Sequence, residues 1–187
     1  MSPSLYQPES PGRRVRRTFA FVDLSGFTAL TEEQGDEEAV EVLTLFRNAV
    51  RGVAGFNGVR VAKWLGDGAM LVSTETPPMI DAILEIERRI GEGGSPLALR
   101  AGVSEGDVIL FEGDDYVGRS VNLAARLCDQ AQPCQALASL DVLGPGEVPR
   151  SPVHRINLKG LAEPIEVVDL RAERSDEGAD PAEATAD

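Results

Sequence analysis

Two apolar runs in this chain each carry a carboxylate, and no other feature constrains its fold as much. The first is Phe19-Ala20-Phe21-Val22-Asp23-Leu24-Ser25-Gly26-Phe27-Thr28. The second is Val61-Ala62-Lys63-Trp64-Leu65-Gly66-Asp67-Gly68-Ala69-Met70-Leu71. A run of this kind reads as a buried strand, predicted here as part of a β-hairpin, with a charge at its end. A charge at that position needs a partner, and a divalent cation is the commonest strong one. Asp23 and Asp67 are therefore candidate metal ligands. If they converge, they can hold two metals on a polyphosphate, the arrangement used for in-line displacement at phosphorus.

The rest of the pattern says what these runs are embedded in. Thr18–Leu24 is a predicted strand bounded by Ser-Gly. Asp36 is expected to cap a helix reaching about Ala54, with Ala39, Leu43, Phe46 and Val50 on one face. Val59–Leu65 and Ala69–Ser73 read as strands joined by Gly-Asp-Gly. Pro77 and Pro78 open a second helix, with Ile80, Ile83, Ile86 and Ile90 inward and Gly93-Gly94 at its end. Leu97–Ser104 and Val108–Phe111 are expected to form a hairpin turned at Glu105-Gly106-Asp107. Gly118 to about Ala131 is a third helix. Val153–Leu158 and Ile165–Leu170 are late strands around Lys159-Gly160. The order is an α/β (α+β) ferredoxin-like βαββαβ core with a C-terminal extension.

Length and charge set the limits. The 187 residues suit one domain with tails. Residues 1–17 are expected to be a disordered, Arg-bearing lead-in, with Arg13, Arg14, Arg16 and Arg17 as a solvated cluster. Residues 18–171 form the domain, and 172–187 an acidic disordered tail. The net charge is −13; six acids and one Arg in the tail account for −5 of it, leaving −8 on the rest. That balance argues against a nucleic-acid partner, since phosphate backbones reward a basic face. No stretch approaches the roughly 18 apolar residues of a membrane span, and no apolar segment opens the chain, so membrane insertion is not expected and a cytoplasmic location is. Cys128 and Cys134 with one histidine, His154, fall short of a zinc site, and both thiols are expected to be reduced and His154 structural.

The third helix adds Asn122 and Arg126, four apart and so on one helical face. An amide and a guanidinium together can hold a ribose and a phosphoryl oxygen, although a polar stripe facing water has the same spacing.

With these residues in view, the chain from about Thr18 to Leu170 resembles the catalytic domain of the class III adenylate and guanylate cyclases. Four motifs match in order: Phe21–Thr28, Lys63–Gly68, Asp115–Arg126 and Leu158-Lys159-Gly160. The resemblance implies the class III nucleotidyl cyclase fold and ATP conversion to 3′,5′-cyclic AMP and pyrophosphate, for signal transduction. It implies two divalent ions, Mg²⁺ or Mn²⁺, on Asp23 and Asp67. Phe27 and Thr28 match positions whose backbone amides approach the phosphates. Lys63 and Asp115 match the adenine readers, Asn122 the ribose-orienting residue, Arg126 the group that stabilises transition-state charge, and Lys159 a phosphate contact. It also implies a head-to-tail homodimer, with Asp23 and Asp67 of one copy facing the other copy's Lys63, Asp115, Asn122, Arg126 and Lys159. Two competing readings remain: a catalytically silent nucleotide-binding and dimerisation module, and a polymerase-palm or diguanylate-cyclase-like enzyme sharing the core. Trp64 alternates with Lys63 and is expected to pack rather than stack on a base.

Overall fold

In the computed structural model the described residues are 12–112, 115–144, 147–149 and 151–173. The terminal segments expected to be disordered lie largely outside them. Strand β1 (Arg13–Leu24) is followed by helices α1 (Phe27–Gln34) and α2 (Asp36–Phe56). The hairpin β2 (Arg60–Leu65) and β3 (Gly68–Ser73) leads to α3 (Thr76–Glu92) and β4 (Leu99–Phe111). The short strand β5 (Asp115–Val117), α4 (Arg119–Gln130), β6 (Ala136–Ser139), β7 (His154–Ile156) and β8 (Ile165–Asp169) complete the order.

The eight strands form one sheet in the order β2-β3-β1-β4-β6-β8-β7, with β5 paired to the free side of β4's end. The first four strands and the helices between them are the expected βαββαβ core. β1 is central and buries both faces: Ala20, Val22 and Leu24 point to one cluster and Phe19 to another. That explains its near-continuous apolar sequence. Phe46, Val50 and Val53 of α2 and Met79, Ile83 and Ile86 of α3 cover the first face. On the second face α4 packs Leu123 and Leu127 against Leu137, Leu158 and Val167, and Ala124 beside Phe19, Met70 and Val72. Gly102 sits where α4 crosses β4; a Cβ there would lie 2.1 Å from the Cys128 nitrogen and 2.2 Å from the Ala124 carbonyl oxygen.

Several local expectations need correction. Leu97–Ser104 and Val108–Phe111 are not a hairpin: β4 runs unbroken through Glu105-Gly106-Asp107. The reason is β1, which begins at Arg13, ahead of the boundary expected at Thr18, and pairs with β4 from Arg13↔Leu110 to Leu24↔Leu99. Arg16 ties this extension to Glu105 through two side-chain hydrogen bonds, so the basic cluster is part of the sheet. Gly106 is needed for a close approach instead of a turn, because a Cβ there would meet Ser120 Oγ at 2.1 Å. Asp36 does not cap α2; Gly35 precedes the helix, no side chain caps it, and Asp36 is its first residue. Asp23 does not belong to a hairpin, since β1 joins β3 and β4, neither consecutive with it. The short strand β5 and the parallel strand β6 carried no expectation.

Candidate active site

The site begins where β1 ends. In the antiparallel registers Asp23 lies opposite Gly68 on one side and Arg100 on the other. The loop of the β2–β3 hairpin is two residues long, Gly66 and Asp67, and Gly66 supplies the positive φ (69°) that such a tight turn asks of its first residue. The Asp67 carbonyl accepts the Leu24 N–H at 3.3 Å, which docks the turn onto the end of β1. The two carboxylates thus share one corner of the sheet. Gly68 keeps that corner open: a Cβ there would lie 3.0 Å from Asp23 Oδ1 and 3.0 Å from the Val22 carbonyl oxygen. Asp23 also lines a 140 Å³ hollow with Leu65, Cys128 and Asp129.

Burial holds the Asp23 carboxyl above its ordinary value. The hydrogen bond from Arg100 opposes that rise and the neighbouring charge of Asp67 adds to it. Arg100 donates from Nε (2.9 Å) and Nη2 (2.6 Å), both to Asp23 Oδ2. Its Nη1 reaches the Asp129 carbonyl at the end of α4, 3.4 Å away. Sequence reasoning missed Arg100. The signal was present, because Arg100 is the one charged residue in the stretch Leu97–Ser104 and needs a partner as much as Asp23 does.

The donor set fits a hard divalent cation. Mg²⁺ and Mn²⁺ are commonly held by one or two carboxylates, with the remaining positions filled by water and substrate phosphate. Asp23 and Asp67 provide that pair. Among the described residues no group of three or more His, Cys, Asp and Glu forms an all-protein cage.

Helix α1 starts directly after this corner. Gly26 precedes it in the left-handed region (φ 88°), and its first helical bond is Leu30 N–H to the Gly26 carbonyl. The N–H groups of Phe27, Thr28 and Ala29 therefore stand before the ladder, free of helical partners, as a phosphate cradle requires. Phe27 is half-buried against the core and Thr28 is exposed.

The remaining candidates form two further groups. Lys63 of β2 is ion-paired with Asp115 of β5. The neighbouring pair Arg60 and Tyr116 (Nη2 to Oη, 3.1 Å) also joins the two strands. Trp64 packs as expected: its ring meets Phe46 edge-on, and Arg47 and Arg51 lie over it at 5.2 and 5.1 Å. On α4, Asn122 is exposed and Arg126 is half-buried. Arg126 lies over the turn of Lys159 and Gly160, its Nη2 3.5 Å from where a Gly160 Cβ would sit. Lys159 is exposed. Among the described residues no hydrogen bond or ion pair joins these groups to Asp23 or Asp67. The chain thus holds a carboxylate corner and a set of cations and polar groups with no hydrogen bond or ion pair between them among the described residues.

No protein-family model matches the chain. The uncharacterized protein Rv2212 of Mycobacterium tuberculosis is 40% identical over 119 residues, covering 64% of this chain and 31% of that protein. The pH-sensitive adenylate cyclase MT1302 of M. tuberculosis is 33% identical over 129 residues, covering 69% and 32%. The chain spans about a third of the length of these relatives. Among solved structures, the adenylyl cyclase CyaB from P. aeruginosa superposes with a TM-score of 0.71 at 23% identity, covering 86% of this chain and 95% of that one. The guanylyl cyclase Cya2 superposes with 0.67 at 24% identity, covering 86% and 93%.

Proposed function

We propose that this chain, which has the catalytic-domain fold of the class III adenylyl and guanylyl cyclases, converts ATP to 3′,5′-cyclic AMP and pyrophosphate. The site is shared across a head-to-tail homodimer. The fold is common to adenylyl and guanylyl cyclases, so the choice of base rests on one observation: the Lys63–Asp115 pair. Lys63 can donate to adenine N1 and Asp115 can accept from the exocyclic amine. Guanine presents a donor at N1 and an acceptor at O6, which leaves both charges facing groups of the wrong sense. That mismatch is costly once water is excluded.

The other residues divide the work. Asn122 orients the ribose so that its 3′-oxygen lies in line with the α-phosphorus. The 3′-hydroxyl gives its proton to water as the new O3′–P bond forms, the bond to the bridging oxygen breaks, and pyrophosphate leaves. Arg126 neutralises charge on the α-phosphoryl oxygens, and Lys159 with the amides of Phe27 and Thr28 holds the outer phosphates. Divalent cations bound at Asp23 and Asp67 would supply electrophilic activation at phosphorus and charge compensation on the leaving group. The lack of any direct bond between the carboxylate corner and the cationic set among the described residues is compatible with a shared site, and two-fold symmetry would give a homodimer two equivalent centres.

Product analysis tests this reading. The chain is incubated at several concentrations with ATP or GTP and Mn²⁺. Cyclic AMP from ATP, with specific activity rising with concentration, is the expected result. Nucleotide binding without any cyclic product would support the silent module instead, and a cyclic dinucleotide product would replace the reading altogether.

A further inference from the structure

Arg100 and Asp23 are cross-strand neighbours, and both Arg100 hydrogen bonds fall on the same carboxylate oxygen, Oδ2. Their side chains are only 29% and 22% exposed, so this is not a solvent-screened surface pair. Charge-assisted forks of this kind are among the stronger hydrogen bonds. A dication that takes the Asp23 carboxylate meets the guanidinium already seated there, and the two cations repel. The guanidinium also has a second foothold. Its Nη1 already touches the Asp129 carbonyl, at the negative end of the α4 dipole, with the Asp129 carboxylate on the same residue.

We propose that Arg100 is a placeholder on the metal carboxylate. It holds Asp23 Oδ2 in the metal-free protein and gives it up when a divalent cation binds, so it sets the cation affinity of the site. This rests on Asp23 being a metal ligand, and it goes beyond that reading by making metal loading an exchange of partners. The Asp129 carbonyl keeps the guanidinium nearby after the exchange. The other charged groups around the pair are Asp67, on the hairpin turn, and Asp129, on α4.

The test uses the full chain without nucleotide and Mn²⁺ alone as the probe, with free Mn²⁺ followed by its electron paramagnetic resonance signal. Arg100→Gln is expected to bind Mn²⁺ roughly tenfold more tightly than the parent chain. Arg100→Lys, which keeps a cation but loses the fork, is expected to fall between them and stands in if the Gln variant does not fold. Adding Asp23→Asn to either variant is expected to abolish the gain. Mn²⁺ binding that is unchanged, weaker or undetectable in the Arg100 variants overturns the proposal, and so does a gain that survives Asp23→Asn. The titration needs no turnover. A chain that shows the Asp23-dependent gain but makes no cyclic nucleotide would refute the cyclase reading and leave the exchange standing.

Discussion

Asp67→Ala and Arg126→Ala chains should each be inactive alone and recover activity when mixed. Asp67 stands on the β2–β3 turn beside Asp23, whereas Arg126 stands on α4 over the Lys159–Gly160 turn. In a head-to-tail dimer each site takes the first group from one copy and the second from the other. A mixed dimer therefore concentrates both defects in one site and leaves the other intact. Random exchange of equal amounts makes about half the dimers mixed, each with one working site of two, so about a quarter of parental specific activity should return. Neither change should unfold the chain. The Asp67 backbone carbonyl, not its side chain, docks the turn, and Arg126 makes no ion pair among the described residues. Each should cost no more than about 0.5 kcal/mol. Differently tagged chains are mixed and cyclic AMP formation is measured with Mn²⁺, both in the mixture and in the mixed dimer isolated through both tags, where about half of parental specific activity is expected. A verified mixed dimer with no recovery would refute the shared site.

Three further outcomes are expected. Gly102→Ala should cost about 3 kcal/mol or more in urea unfolding, because the new Cβ meets the Cys128 nitrogen and the Ala124 oxygen, backbone atoms that cannot swing aside; a loss under about 0.5 kcal/mol would mean α4 does not cross β4 there. Lys63→Met keeps the bulk and removes the cation, so kcat/KM for ATP should fall by roughly two orders of magnitude and the preference over GTP should collapse; an unchanged ATP:GTP ratio would remove Lys63 as the base reader. Burial pushes the Cys128 thiol up to about 12, while Cys134 is exposed. The neutral Cys128 thiol therefore favours the fold below the ordinary thiol range, and this contribution is lost only as pH rises toward 12. Iodoacetamide at pH 8 should label Cys134 alone in the native chain and both cysteines after denaturation, as read by peptide mass; native labelling of Cys128 would contradict its burial.

What could be read from the sequence follows how far each signal reaches along the chain. Asp23, Asp67 and the Asn122–Arg126 face were legible because each is written within a dozen residues: an apolar run closed by a charge, a Gly-Asp-Gly turn, a four-residue helical spacing. In the structure Asp23 stands near the end of a buried strand but outside any hairpin, Asp67 in the β2–β3 turn, and Asn122 and Arg126 on one helix, α4. The continuity of β4 was not legible, because Glu105-Gly106-Asp107 has the composition of a turn. It stays extended because β1 pairs with it without a break and Arg16 bonds Glu105, 89 residues later in the chain, while Gly106 is there for the close approach of Ser120. Strand β6 escaped notice for a related reason: Ala136–Ser139 has weak strand propensity of its own and is held by parallel pairing to Ala101–Val103. Arg100 joins both cases. Its need for a partner was local, but its partner lies 77 residues away and is fixed only by the β1–β4 register. That same register puts the guanidinium on Asp23 Oδ2. The exchange proposed for Arg100 would thus let the feature the sequence concealed set access to the feature it displayed most plainly.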